Sequence, residues 1–416
     1  MSSGADVKSQ VLTFEQARAA VEREAARVRA GDSEPVELLF AGGRVLAESV
    51  VADRNFPPFP RATRDGYAVR AADLVNVPAT LKFVGEIRAG GPQANIAVDS
   101  GEAAEIMTGA PLPAGADAVV MVEYTARHGD RIEIQKAVAS GENFVPTGAE
   151  AKRGAVLLMP GTRLTPAAIA VAGSCGRDEL RVFRRPQVAI LSTGDELVDV
   201  AAEPGPNQIR NSNSYSLAAQ VQKAGGDPVV LPIAPDEPRQ LRKLMQEGLA
   251  KDLLLLSGGV SMGKYDLVEQ VLGEMDAEFF FTGAQIQPGK PVVFGAAPSC
   301  RGSQPTYFFG LPGNPVSTMV CFELFARTIL DALAGVTTRK LIFVQARLKA
   351  NVRTKTGLTR FLPALLDGMH ERAEVDLVKW QGSGDMASTA RANCYLVVPP
   401  DRQELKAGEM VSVLPQ

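Results

Sequence analysis

The chain has 416 residues, 45% of them apolar and 22% charged, with 39 Gly and 28 Pro. At about 150 residues per domain that length implies roughly three domains, and the composition is that of a well-buried, turn-rich globular protein rather than a disordered one. A formal net charge of −3 without a basic run lacks the electrostatic footprint of a nucleic-acid binder, so small ligands are the expected partners.

In chain order, residues 13 to 30 (TFEQARAAVEREAARVRA) place apolar groups at helical spacing behind Thr13, an N-cap residue type, and predict an N-terminal helix. From Asn55 the sequence turns to FPPFPRATRDGYAV, which no regular helix accommodates, followed by short apolar runs between Gly and Pro. This reads as a β-rich inserted domain over 55–145. A further β-type segment, 154–164, leads into TPAAIAVAGSCG, with Thr165 and Pro166 as N-cap and first helical residue. Residues 146–185 are expected to join 1–54 in a discontinuous linking domain.

After Pro186, apolar strands near 187–191, 228–233, 252–256 and 306–310 alternate with helical stretches near 213–224, 237–250, 266–275 and 315–333. Such alternation predicts an α/β domain over 186–335 with a doubly wound parallel sheet. Beyond Gly335 the helices stop, and short alternating segments predict a small C-terminal β-domain over 336–416. The fold class is therefore α/β and multidomain, with β-rich parts, and no internal repeat occurs.

Four well-separated cysteines, Cys175, Cys300, Cys321 and Cys394, form no CxxC pair and are expected to be reduced and mostly buried. His128 and His370 lie in no motif, so acid–base or metal chemistry must rest on carboxylates. The first ten residues carry no signal-type apolar core, and no apolar run of about 18 residues occurs, so a soluble cytoplasmic protein without membrane contact is expected.

In open α/β sheets ligands bind at the carboxyl ends of the strands. Here those ends carry Ser192-Thr193-Gly194-Asp195-Glu196, Asp236, Ser257-Gly258-Gly259-Val260-Ser261 and Gly310-Leu311-Pro312-Gly313-Asn314-Pro315. All four loops should meet at one edge. Gly258 and Gly259 suit a backbone nest whose N–H groups attract phosphate, or an ordinary tight turn. Glu196, Asp236 and Asp266 would repel such an anion unless an oxygen-liganded cation such as Mg²⁺ lay between them, and helix capping is the alternative for the two aspartates. Gly258 to Lys264 also spells G-x-x-x-x-G-K, but Tyr265 replaces the Ser or Thr of a nucleotide-hydrolase loop. Lys290, after a Pro-Gly turn, is either a point charge for phosphate or a solvated surface lysine.

Seven ordered motifs carry a resemblance over nearly the whole chain: DGYAV at 65–69, IMTGAPLPAGADAVV at 106–120, LSTGDEL at 191–197, SGGVSMGKYD at 257–266, QPGKP at 287–291, GLPGNPVS at 310–317 and GSGDMASTARAN at 382–393. The sequence resembles the molybdopterin molybdenumtransferases, the MoeA type related to the gephyrin E domain. The resemblance implies a cytosolic enzyme that takes adenylylated molybdopterin and molybdate, inserts molybdenum at the dithiolene and releases AMP with Mg²⁺ assistance. It implies a homodimer with a site shared between subunits, and a molybdopterin adenylyltransferase as upstream partner. Carried over residue by residue, Glu196 and Asp266 are the metal and phosphate-site acids and Asp236 lines the same pocket. Asp65 and Thr108 act at the molybdopterin or molybdate end, unless they only form turns. Ser257, Gly258, Gly259, Val260 and Ser261 receive the nucleotide phosphate, with Asn213, Lys290, Pro312, Gly313 and Asn314 completing the substrate site.

The sequence departs from the family pattern at several points. Arg61-Ala62-Thr63-Arg64 replaces an Asn-Ser-Ala-Met stretch, Asn211 an aspartate, Gln287 a lysine, and Val145-Pro146-Thr147 a basic run. Arg61 and Arg64 are placed to clamp anions or to mark a divergent substrate, while positive charge is lost elsewhere. Asn211, Gln287 and the 145–147 segment favour the rival reading, a non-catalytic binding or scaffold homologue.

Overall fold

Thr13 starts the first helix by a reciprocal cap. In the computed structural model, which describes residues 10–91, 95–259, 267–299, 304–337, 340–369 and 372–416, the Thr13 hydroxyl accepts from the Gln16 N–H and the Gln16 side chain accepts from the Thr13 N–H. The helix, α1 (Phe14–Ala25), sends Ala17, Ala20 and Val21 into a core shared with the α/β sheet.

The β-rich region forms a six-stranded sheet from Gly66–Val69, Ala79–Ile87, Glu102–Ile106, Ala118–Met121, Thr125–His128 and Arg131–Ile134. Alternation puts Tyr67 and Val69 in one apolar cluster and Ala68 in the cluster on the other face. Ser33–Glu37 pairs antiparallel with Glu179–Phe183, and Val50–Val51 with Val156–Leu158, so chain segments on either side of that sheet come together. Thr165 and Pro166 start α2 (Pro166–Ser174) as the sequence predicts.

The α/β sheet has four parallel strands: the first Gln187–Ser192, the second Asp227–Val230, the third Leu253–Ser257 and the fourth Thr306–Leu311, in the order second, first, third, fourth. Helices α3 (Asn213–Ala224), α4 (Pro238–Leu249), α5 (Leu267–Gly273), α6 (Pro315–Cys321) and α7 (Arg327–Leu333) accompany them. The sheet is not wholly parallel. Val293–Ala297 adds antiparallel to the fourth strand and Glu278–Phe281 antiparallel to that, an extension the alternation did not predict. Both runs are short and apolar, so periodicity could not separate them from loop or helix; stacking of Phe294 on Phe309, ring centroids 4.5 Å apart, fixes them in place.

The helical stretch predicted over 315–333 is interrupted by a π-type turn, Phe322–Ala326. Buried Arg18 of α1 donates to the Leu324 carbonyl there and to Thr328 Oγ1 at 2.8 Å. A C-terminal sheet of Val344–Leu348, Thr359–Asp367, Glu374–Leu377, Cys394–Val398 and Met410–Pro415 is joined by Ile286–Gln287, parallel to Thr359–Asp367. Its Phe361, Tyr395 and Leu414 belong to the α/β core. One short helix, α8 (Met386–Thr389), does follow Gly335; Asp385 caps it inside a stretch whose glycines read as loop.

Among the described residues no helix is long and apolar enough to cross a membrane, and Cys175, Cys321 and Cys394 are free and buried. Cys300 and His370 lie outside the described residues.

Replacing Arg18 by Leu leaves the Leu324 carbonyl without this donor in a buried setting. The expected loss of stability is about 2 kcal/mol, read as a lower midpoint in thermal unfolding; an unchanged midpoint would show that α1 docks through its apolar face alone.

Candidate active site

The strand order reverses between the first and third strands, where a crevice opens at their carboxyl ends. Gly258 and Gly259 follow the third strand with φ of +89° and +66°. A Cβ on Gly258 would stand 2.6 Å from the Thr193 carbonyl oxygen, and one on Gly259 2.6 Å from Thr193 Oγ1. The glycine pair thus lets the third-strand loop lie directly on the first-strand loop. Its amides are not all open to an anion, as the sequence suggested: the Gly258 N–H donates to the Leu311 carbonyl at 3.2 Å, because the fourth strand ends alongside.

Asn213, the first residue of α3, ties these ends together. Its Nδ2 donates to Ser257 Oγ at 2.9 Å and to the Gly313 carbonyl at 2.8 Å. Pro312 is held in turn by its carbonyl, which accepts from Thr318 Oγ1. The result is a pocket of about 360 Å³ lined by Thr193, Glu196, Arg210, Asn211, Asn213, Ser257, Gly258, Gly313 and Asn314, among others. The loops after the first, third and fourth strands therefore meet as predicted. The loop after the second joins from the side, where the Gly194 N–H donates to the Ala234 carbonyl at 3.2 Å and the Asp236 N–H to Asp195 Oδ1 at 3.1 Å.

Acid groups concentrate on that side. A Cβ at Gly194 would run into the Glu196 carboxylate, so the glycine makes room for this side chain against its own backbone. Partial burial, and then the neighbouring Asp195 and Glu196, push the Asp236 carboxyl above the usual range. Asp236 does not cap the following helix. Glu237 does, accepting from the Arg239 and Gln240 N–H groups at 3.0 Å each, which removes the capping alternative for Asp236. Among the described residues no three His, Cys, Asp or Glu side chains are arranged to hold a metal ion.

The sequence marks Thr193 only as part of a strand-end loop and Asn211 only as a departure from a family aspartate, and it does not single out Arg210. Asn211 is buried in a closed ring with two serines: Ser192 Oγ donates to Asn211 Oδ1 at 3.0 Å, Asn211 Nδ2 donates to Ser214 Oγ at 2.9 Å, and the two hydroxyls stand 2.9 Å apart. The amide supplies both the donor and the acceptor that a carboxylate could not, so the neutral residue suits its surroundings. Besides the place of Asn211 as a departure from the family aspartate, the sequence signal was the run of Asn and Ser at 211–214, at the start of a helix.

Asp65 and Thr108 stand together on the six-stranded sheet, whose strands make their extensive contacts with one another. The Thr108 N–H donates to Asp65 Oδ1 at 2.6 Å. That bond, helped by the Thr108 hydroxyl, holds the Asp65 carboxyl below its usual range. Arg61 pairs with Glu150 at 2.8 Å, while Arg64 and Lys290 are exposed. Val260, Ser261, Lys264 and Asp266 lie outside the described residues.

Two predictions follow from this geometry. Gly258→Ala should destabilise the fold by about 1–3 kcal/mol through contact and backbone strain, and denaturant unfolding at unchanged m-value would show it. For Asp236 the folded-state carboxyl ionises at higher pH than the unfolded one, so its charge opposes folding increasingly as pH rises through the carboxylate range. Asp236→Asn should therefore raise the melting temperature near neutral pH and have little effect at about pH 4; an equal shift at both would contradict the repulsion.

Three family models match the chain: the MoeA N-terminal region (domain I and II) over residues 12–176, a probable molybdopterin binding domain over 189–332, and the MoeA C-terminal region (domain IV) over 345–416. The molybdopterin molybdenumtransferase of Nostoc sp. is 35% identical over 393 residues, 92% of this chain and 88% of the relative. That of Bacillus subtilis is 32% identical, covering 92% and 90%. The crystal structure of the molybdopterin biosynthesis moeA protein from Pyrococcus horikoshii OT3 aligns at a TM-score of 0.77 with 29% identity, over 98% of this chain and all (100%) of that one. The fold, the ordered motifs and these relatives agree: the chain belongs to the MoeA family of molybdopterin molybdenumtransferases.

Proposed function

We propose that the chain is a molybdopterin molybdenumtransferase that takes adenylylated molybdopterin and molybdate, places molybdenum on the dithiolene and releases AMP with Mg²⁺ assistance. The observation that carries this reading is the convergence of three strand-end loops on one polar pocket, with Asp195, Glu196 and Asp236 crowded beside it. Asp236, pushed up by partial burial and then by Asp195 and Glu196, stands among oxygen ligands lacking a counter-charge, and a hard divalent cation would supply one. Glu196 fits that role, with Asp236 beside it and Asp266 as the further acid. When bound, the cation would neutralise charge on the phosphoanhydride as AMP departs.

The chain's own groups do the rest. Asn213 and the glycine pair fix the width of the crevice, and Arg210 brings positive charge to a pocket that also holds Glu196. The Asp65–Thr108 pair presents an ionised carboxylate on a different sheet, which suits a site completed by the β-rich sheet of a second subunit. A homodimer is thus part of the proposal, and strongly exposed Leu39 and Phe40 are the kind of surface an association would cover. The adenylylated substrate would come from a molybdopterin adenylyltransferase, within the cytoplasm. Asn211 weighs little for a non-catalytic homologue, because its side chain is engaged in the serine ring.

Purified protein given molybdopterin-adenylate, molybdate and Mg²⁺ should release AMP, and chelation of Mg²⁺ should stop it. Glu196→Gln should lower the rate by about 10–100-fold, the loss typical of a weakened metal site, with the melting temperature preserved. Tight binding of the adenylate without any molybdate-dependent AMP would establish the scaffold reading instead.

A further inference from the structure

At the opposite end of the α/β sheet, where the first strand begins at Gln187 and the fourth at Thr306, lies another cavity, of about 270 Å³. Arg29, Arg184 and Arg185 line it, together with Asp32 and Asp252. At about 3.3 Å per residue, the strand Gln187–Ser192 sets it roughly 15–20 Å from the strand-end crevice, so no small ligand fills both. Its walls come from separate parts of the chain held by main-chain donors. The Arg184 N–H donates to the Asp32 carbonyl at 2.9 Å and the Arg29 N–H to Gln304 Oε1 at 2.8 Å. The tail that follows α1 is thereby joined to the connector 184–186 and to the start of the fourth strand.

The arginines around that connector are of two kinds. Arg44 pairs with Glu34 and Arg163 with Asp331. Arg29, Arg184 and Arg185 are exposed and, among the described residues, pair with no carboxylate. Of the two acids in the lining, Asp252 is engaged at the strand start, where its Oδ2 accepts from the Gln187 N–H at 2.7 Å. Three guanidiniums that cannot lose their protons thus share one small cavity without an ion pair.

We propose that this cavity is an anion site separate from the crevice, for a small tetrahedral dianion such as sulfate, phosphate or molybdate. The guanidinium fork matches paired oxygens of such an ion, and exposed side chains with no partner to give up are free to turn onto it. Two charges on the ion suit three arginines better than the single charge of a carboxylate. The volume lies below about 300 Å³, the lower end for drug-sized ligands, which fits a bare oxyanion and not a nucleotide or a pterin. Once bound, the ion bridges the tail of α1 and the connector, and its occupancy stabilises their junction with the sheet.

The test titrates full-length protein calorimetrically with sulfate, phosphate and molybdate, with acetate as the monoanion at equal ionic strength. The double variant Arg29→Gln/Arg185→Gln should bind each dianion at least tenfold more weakly, roughly the loss of one charge-assisted contact. Its melting temperature without added anion should match wild type, because the removed groups hold nothing in the free protein. Arg185→Lys, which keeps the charge and loses the fork, should lose less. A preference for molybdate would tie the site to the oxyanion of the proposed reaction, and equal affinities would make it a general dianion site; both support the proposal. No dianion binding by wild type, equal affinity in the double variant, acetate binding as tightly as sulfate, or a lowered melting temperature of the anion-free double variant would each overturn it. Failure to release AMP from the adenylate would overturn the proposed reaction and leave this site standing.

Discussion

Both amide hydrogens of Asn213 reach across the end of the α/β sheet, one to the third strand at Ser257 and one to the loop after the fourth at Gly313. Strand pairing holds the sheet along its length, but the ladder stops at Ser257 and Leu311, and beyond it the chain must turn away. The Asn213 side chain takes over at that point from the backbone. It sets the spacing of the walls, and through the Gly258 N–H bond to Leu311 and the packing of Gly258 on Thr193 it sets the third wall as well. The same geometry leaves its own carbonyl oxygen buried and unpaired.

A second tension is electrostatic. Partial burial, and then the closeness of Asp195 and Glu196, make Asp236 hold its proton above the normal range, and the helix following it is capped by Glu237. A site shaped only by folding would relieve such crowding with a lysine or a cap. Here it persists, which is the pattern of a binding site that gives up stability of the free protein, in keeping with the proposed cation.

Much of this was legible in the residues because the strands and helices of the α/β unit repeat with clear periods and end in loops of distinctive chemistry. The first helix, its Thr13 cap, the Pro166 start and the four parallel strands lie within a few residues of their expected places. Less visible were features that depend on contacts distant in sequence. The hairpin edge at Glu278–Phe281 and Val293–Ala297 is fixed by aromatic stacking, the π-type turn coincides with a carbonyl bonded by Arg18, and Thr193 gains its role only when Gly259 packs on it. The reading of the glycine pair needed correction because it assigned a backbone group to a single local task. The Gly258 amide turned out to serve the fourth strand, whereas Asp236 stands among the acids as expected and the cap that was its alternative falls to Glu237.

On the proposed function the acids of the α/β sheet and the Asp65–Thr108 pair would act on one ligand from two subunits. Co-expression of differently tagged Asp65→Asn and Glu196→Gln chains, with purification of the mixed dimer, tests that directly. If the site is shared, one of the two sites in the mixed dimer carries neither substitution, and molybdate-dependent AMP release should return to about half the wild-type level, although each variant alone is impaired. Mixed dimers no more active than the two parent variants would place both groups in the same subunit's site and contradict the account.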